Sequence, residues 1–483
     1  MTVTAFELAK RGPAKSADRY GDLPLGAVIR GDERYNRAGL FRGPRGWDYW
    51  DRLENPDAHQ NPNLWPDKRP TYFWAQLAMP AGSSLTIRGT FPHARYMKLA
   101  MYRYEEGTFT SMVSESLSGK DIEPDPGSGN PFLVGADRSV EDRNFTVHVL
   151  AQDAPADPAD RPANTMFVGT EETDTQLMYR IYVSDEGYDG AGWGPADASF
   201  AEGRGYTVEG TLADGTTLTS EEEVVERFSR PMIDLPPQVT SEMWFGLVEA
   251  EDNDPRLDAE SAPAREDSPW ENFYGMKYTV VGAFKGPEAR AKMGLQQKME
   301  AGGDPTTAYM VIFTSRKFGP VYVFQAKMPT FPDTYAGTKA MTDGQVQYWS
   351  NTTVGSGPSG ELWDGLSDMQ VPLDEDGCYT IVVSRPEDRP ANATDDNGIA
   401  WMDWGPGEGL DDDPRNRTDF GMMIMRFMAC AEDWEHSPTK ATTPGTEEEI
   451  MGPYYPRGYY TTKEEFETEG PRVLMAAGAE TRA

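Results

Sequence analysis

The sequence predicts a mainly β protein built as two duplicated antiparallel β-sandwich modules, jelly-roll-like, with a partly helical middle insertion. Three observations carry this. The pentapeptide Asp-Arg-Pro-Ala-Asn occurs at 160–164 and again at 388–392, each time after a strand-like run, Phe145 to Val149 and Tyr379 to Val383. The elements upstream follow the same order in both halves: a strand (Ala94 to Tyr102; Val346 to Thr353), then an acidic turn (Leu117 to Gly127; Leu366 to Gly377). Self-similarity at so long a spacing reads as a duplicated domain rather than a solenoid. Gly and Pro, 48 and 38 of 483 residues, exceed their usual share and suit short strands joined by turns.

Taken in order, residues 1–70 form a segment rich in Arg, Asp, Trp and Pro, in which Trp47, Tyr49, Trp50 and Trp65 would lay the chain over a neighbouring surface. Residues 71–212 are the first module. Tyr72 to Met79 and Ser84 to Gly89 are strands around a Pro80-Ala81-Gly82 turn, and Phe145 to Leu150 and Gln176 to Val183 alternate apolar with polar residues. Residues 213–305 are an acidic connecting region. Ser220 and Glu223 have the spacing of a capping box ahead of a helix that Pro231 ends, a Pro- and acid-rich loop follows from about 250 to 270, and a second helix reads from Pro287 to about Glu300. The second module spans 306–436, with strands at Ala308 to Phe313 and Val321 to Ala326 and a fully buried run at Gly421 to Met428. That methionine-rich run fills the core or lines an adaptable pocket. From 437 to 483 the chain reads as an extended tail.

Composition narrows the function. The net charge of −34 repels nucleic acid and anionic membranes, so neutral molecules and cations are easier partners. No apolar run reaches the length of a membrane span, and the N-terminus lacks the apolar stretch of a signal peptide, so the expected location is cytoplasmic. Cys378 and Cys430 sit in apolar runs and are read as buried thiols; without Cys-x-x-Cys spacing a zinc ribbon or thioredoxin-type site is excluded.

Chemical motifs are sparse. The four histidines, His59, His93, His148 and His436, are too far apart for a paired metal motif, so no metal ligands are assigned. Calcium is the one cation that the acidic turns at Asp374, Glu375 and Asp376, and at Asp411, Asp412 and Asp413, would suit, although neither has the spacing of a helical calcium hand and solvated turns explain both. There is no nucleophile elbow, phosphate loop or βαβ dinucleotide unit, and no nucleotide cofactor is expected. The repeated pentapeptide has a structural account: Pro fixes a turn dihedral, Asn tolerates left-handed geometry, and Asp and Arg tie down the loop.

The candidate catalytic residues are His93, Arg95 and Tyr96 on one strand and Asp403 in the second module. His93 would move a proton near neutral pH, Arg95 would orient a carboxylate or carbonyl, and Tyr96 brings a phenol to the other side of the strand. Asp403, between Trp401 and Trp404, would have a raised pKa and act as an acid. Trp401, Trp404 and Tyr348 are the candidate substrate-binding aromatics.

Three stretches resemble a known family: Phe91 to Tyr96, Pro124 to Phe132, and Tyr179 to Gly187. They look like the bacterial β domain called domain of unknown function 1214, often accompanied by 1254. The resemblance is clearest over about 71–200 and weaker over 305–435, where Tyr379 to Asn392 and Ala400 to Gly405 carry it; the acidic middle region departs from the pattern. It implies jelly-roll-like sandwiches and brings no activity or catalytic residue. The reading favours an enzyme acting by acid–base chemistry on a small apolar or aromatic molecule as lyase, hydratase, isomerase or hydrolase. The alternatives are a non-catalytic small-molecule or glycan binder and an assembly protein whose terminal segments clasp subunits of a homo-oligomer.

Overall fold

The computed structural model describes residues 48–50 (backbone), 67, 69–104, 111–170, 175–195, 205–228, 266–274, 278–279, 306–354, 362–405 and 420–474. The first sandwich pairs two sheets. One holds β1 (Asp48–Trp50), β2 (Thr71–Leu77), β4 (Ala94–Tyr104), β5 (Ser111–Ser118) and β8 (Thr175–Ser184), in the order β1-β2-β8-β4-β5. The other holds β3 (Ser84–Thr90), β6 (Asn144–Leu150), β7 (Thr165–Phe167), β9 (Tyr206–Thr211) and β10 (Thr217–Leu218), in the order β10-β9-β3-β6-β7.

The second sandwich repeats the pattern. One sheet is β11-β12-β18-β14-β15, from β11 (Glu271–Asn272), β12 (Ala308–Ser315), β14 (Tyr348–Val354), β15 (Leu362–Ser367) and β18 (Phe420–Met428). The other is β17-β16-β13-β19, from β13 (Val321–Lys327), β16 (Cys378–Ser384), β17 (Ala400–Asp403) and β19 (Arg457–Thr461). Apart from β10, which has no counterpart among the described strands, the two orders correspond strand for strand, and the chain crosses repeatedly between sheets as in a jelly roll. Both sandwiches even share the same departure from antiparallel pairing: β7 runs parallel to β6, and β17 parallel to β16.

Alternation fills each core. In the first sandwich Met97, Leu99 and Met101 of β4 and Leu177, Tyr179 and Ile181 of β8 face Leu85 and Ile87 of β3 and Phe145, Val147 and Val149 of β6. Gly89 is directly opposite Phe145 and leaves the room that its ring occupies; any Cβ there would overlap it. In the second, Trp349, Met423, Met425 and Phe427 face Tyr322, Phe324, Tyr379, Ile381 and Met402. The expectation that 421–428 is buried throughout holds, and Met423 and Met425 belong to the core.

The pentapeptides are the turns that lay down β7 and β17. Asp160 and Asp388 each end a short 3-10 turn. Asn164 has φ of 53°, and its amide donates to the carbonyls of Glu123 and Thr146 while its oxygen accepts from the Glu123 amide. Arg161 stacks on Phe167 of β7, and Arg389 on Trp401 of β17. The repeat is therefore a fold device in both places.

Three boundaries differ from the sequence reading. The stretch after 437 is not an extended tail: it forms α2 (Glu447–Met451), β19 hydrogen-bonded along β13, and α3 (Lys463–Glu469). Its Tyr460 enters the core, and Gly458 lets the backbone pass against the Tyr322 ring. The first sandwich runs past 212, because Leu218 of β10 and Val224 and Phe228 of α1 (Glu221–Phe228) pack into its core. Likewise β11, inside the region expected to connect, belongs to the second sandwich. The capping box is present: the Glu223 amide donates to Ser220 Oγ at 3.2 Å and the Ser220 amide donates back to the Glu223 carboxylate at 3.2 Å. The second expected helix and most of residues 1–70, including Trp65, lie outside the described residues. Among the described residues no helix is long and apolar enough to cross a membrane.

The two sandwiches interlock. The segment after β13 forms an antiparallel bridge between Asp137 and Ala340, and Met341 enters the first core. Arg138 donates to the carbonyls of Thr334 and Thr338 while holding both Asp185 oxygens at 2.6 and 2.8 Å. Arg95 of β4 meets Asp368, just after β15, at 2.7 Å, with both side chains fully buried.

Candidate functional site

Strand β4 lies between β8 and β5, so both its edges are bonded and its two faces carry its chemistry. Met97, Leu99 and Met101 fill the core. The even ones, Tyr96, Lys98, Ala100 and Tyr102, point away from it, to the side an isolated sandwich would give to water. All four are nevertheless buried. Across the pairing lie Tyr182 opposite Tyr96, Arg180 opposite Lys98 and Met178 opposite Ala100. Burial follows from the neighbouring sandwich: Tyr96, Tyr182 and Val183 share a cluster with Tyr348 and Met428, and Tyr309 of β12 packs against it. The Tyr182 ring is 5.6 Å from Tyr96 and 5.1 Å from Tyr348.

Two cations face each other on this surface. Lys98 and Arg180 are directly paired across β4 and β8, and the Arg180 guanidinium sits 5.3 Å above the Tyr102 ring. Burial, reinforced by Arg180, lowers the Lys98 ammonium to about 7, while Asp121 opposes the shift. Asp121 is fixed by a capping box, accepting from the Ser118 amide at 3.1 Å. Burial pushes the Tyr102 phenol up to about 12 and raises Tyr96 further, so both stay protonated at neutral pH. The Tyr96 hydroxyl is buried and has no hydrogen-bond partner among the described residues. An amine that titrates near neutrality, a fixed guanidinium and two neutral phenols therefore share one enclosed face.

The duplicate shows what this face becomes without the lysine. By strand register Ser350 and Arg426 of the second sandwich take the places of Lys98 and Arg180. There Asp67 supplies the counter-charge: it accepts from Ser350 Oγ at 2.6 Å and Tyr348 Oη at 3.0 Å, and its carboxylate is 3.7 Å from Arg426 Nε. Arg426 also donates to Thr352 Oγ1 at 2.7 Å.

The residues singled out from the sequence are distributed over four places. Tyr96 and Tyr348 come together in the inter-sandwich cluster. Arg95 is bound to Asp368, with its guanidinium 4.9 Å from the Phe331 ring. His93 lies just before β4, stacked on Tyr188 at 4.2 Å, and burial with Arg143 and Arg138 nearby lowers it to about 4. Asp403, Trp401 and Trp404 are apart from these, at the β17 edge of the second sandwich. Burial raises the Asp403 carboxyl against the Gly405 amide that donates to it at 2.9 Å. Trp401 lies under Arg389 and donates to Ser384 Oγ, and Trp404 is in the core.

Among the described residues no group of three or more His, Cys, Asp or Glu side chains is arranged to hold a metal ion. Asp374 spends its carboxylate on the amides of Asp376 and Cys378, closing a turn; Asp411, Asp412 and Asp413 lie outside the described residues. Cys378 and Cys430 are free thiols and only half-buried, because one opens β16 and the other follows the end of β18.

Lys98, Tyr102 and Arg180 were not singled out from the sequence. The signal was present in the period-two run Tyr96, Lys98, Tyr102, but that pattern ordinarily marks a wetted face. Contact with strands about 250 residues away encloses its Tyr96 end.

No protein family and no curated protein matches the chain. An uncharacterised protein from Burkholderia cenocepacia aligns in structure over 93% of this chain and 96% of its own, at 12% identity and a TM-score of 0.44. A protein from Vibrio parahaemolyticus aligns over 95% of this chain and 100% of its own, at 14% identity and a TM-score of 0.38.

Proposed function

We propose that the chain binds and transforms a small organic molecule at the Lys98–Arg180 face, by acid–base chemistry and without a nucleotide cofactor. The observation that carries this reading is the enclosure of Lys98 directly opposite Arg180, a like-charged pair that an ordinary sheet avoids. Such a pair suits a substrate with a carboxylate or a polarised carbonyl, and the surrounding tyrosines suit an apolar or aromatic body. Arg180 would hold the anionic group, the Tyr96 hydroxyl would donate to a developing oxyanion, and Lys98 would exchange a proton near its pKa of about 7. Kinship with the domain of unknown function 1214 is part of the proposal, supported by the order of elements in both halves, and it contributes no reaction.

The test is a thermal-shift screen of carboxylates and ketones, with benzoate and phenylpyruvate as first probes, at pH 6 and pH 8.5, followed by a turnover assay of any hit. Lys98 is charged below its pKa, so a carboxylate should raise Tm more at pH 6, and Lys98→Met should abolish both the shift and the pH difference. Equal stabilisation of wild type and Lys98→Met would remove this site from consideration. Binding that depends on Lys98 with no turnover across the screen would favour a pure binding protein.

A further inference from the structure

The second sandwich has a feature that its own fold does not account for. Asn351 lies at the middle of β14, on the face that Trp349 gives to the core. It is fully buried, and among the described residues neither its amide nitrogen nor its amide oxygen has a hydrogen-bond partner. Interiors nearly always satisfy such groups. In strand register its counterpart in the first sandwich is Leu99, which packs there without any polar demand.

The neighbours of Asn351 carry further unused polar handles. Met425 is directly opposite on β18. The Tyr379 hydroxyl reaches only the Met425 sulfur, at 3.8 Å, a weak acceptor. The Tyr379 ring is 5.2 Å from Trp349, whose indole N–H is buried without an acceptor. Asn351, Met425, Tyr379 and Trp349 thus form one connected patch. It offers donors from three side chains and one strong acceptor, with a pliable methionine between them.

We infer that the interior of the second sandwich is a binding site for a small uncharged molecule, an apolar or aromatic body bearing a carbonyl or hydroxyl group that Asn351 engages. The four side chains of the patch carry no formal charge at neutral pH, which disfavours an ionic ligand. Its lining of thioether, indole and phenol matches a flat apolar body. The site is separate from the Lys98 face, which lies on the outer side of the other sandwich.

The experiment compares wild type with Asn351→Leu, which installs the residue that the first sandwich already tolerates. The probes are 2-acetylnaphthalene and naphthalene, which differ by the carbonyl-bearing group. Wild type should gain Tm with 2-acetylnaphthalene and less with naphthalene. Asn351→Leu should have a higher Tm than wild type without probe and should treat both probes alike. Lys98→Met should keep the wild-type preference, so the two sites fail independently. The inference is overturned if neither probe raises the wild-type Tm, or if the preference survives in Asn351→Leu. It is equally overturned if a crystal grown with the ketone shows only an ordered water on the Asn351 amide.

Discussion

The Arg95–Asp368 pair joins the two sandwiches, and its removal should reveal how strongly they are coupled. The 2.7 Å contact is fully buried on both sides, and Asp368 Oδ2 also accepts from the Trp349 amide at 2.9 Å. Arg95 Nε and Nη2 and Asp368 Oδ1 have no further hydrogen bonds. The pair is therefore costly to break and modest in net worth. Truncating one partner strands a buried charge, a loss of about 3–5 kcal/mol, whereas removing both can approach neutrality. Arg95→Met alone should lose that amount. Asp368→Asn alone should lose somewhat less, since its side-chain oxygen can still accept from the Trp349 amide. The double variant should fall only about 1 kcal/mol below wild type, because it retains that acceptor and buries no charge. Urea unfolding of the four proteins gives the coupling directly, expected at about 4 kcal/mol or more. Because one partner sits in each sandwich, the single variants should also separate the melt into two transitions. Losses that add to within about 0.5 kcal/mol, with one cooperative transition throughout, would refute the reasoning.

Two further predictions concern stability. Lys98 has a folded pKa of about 7 against an ordinary value of 10.5, so the folded state resists its protonation and the cost is complete below pH 7. Between pH 7 and 10.5 the unfolded chain binds the extra proton and stability rises with pH, by up to about 5 kcal/mol over the whole window. Lys98→Met should flatten that rise in denaturant melts from pH 6 to 10, and an unchanged slope would contradict the burial argument. In the pentapeptides, Asn164 has positive φ and three side-chain hydrogen bonds, whereas Asn392 is not among the residues of positive φ. Asn164→Ala should cost about 2–4 kcal/mol, with Asn164→Gly recovering roughly 1 kcal/mol of it. At 392 Gly should be no better than Ala, and a matching Gly advantage there would contradict the difference in geometry.

What could be read from the sequence followed from short-range signals. Period-two alternation gave β6 and β8, the internal repeat gave β4, a continuous apolar run gave β18, and the Ser220–Glu223 spacing gave the start of α1. The pentapeptide marked equivalent turns because Pro and Asn limit the backbone locally. The last strand escaped notice because Arg457-Gly458-Tyr459-Tyr460-Thr461 is short, contains Gly and lies among Pro and Glu; only its pairing with β13 makes it a strand. Asp368 escaped for a similar reason. It sits in an acidic turn that reads as solvated, and Arg95, 273 positions earlier in the chain, makes it a buried anchor.

The duplication also separates what the fold needs from what it does not. Some positions keep their kind in both halves: Tyr96 and Tyr348, Ser118 and Ser367, Arg180 and Arg426 occupy matching places. Elsewhere the copies diverge. Lys98 stands where the second copy has Ser350, and Asn351 where the first has Leu99. Asp368 stands where the first has Gly119, at which any Cβ would press on Phe132 and Met97. None of the three is explained by the sheet, since its counterpart builds the same strands without it. Asp368 has an account in the joint between the sandwiches. Lys98 and Asn351 place an amine and an amide in enclosed positions where serine and leucine suffice for folding, and a ligand that binds the folded chain there would offset the cost of burying them.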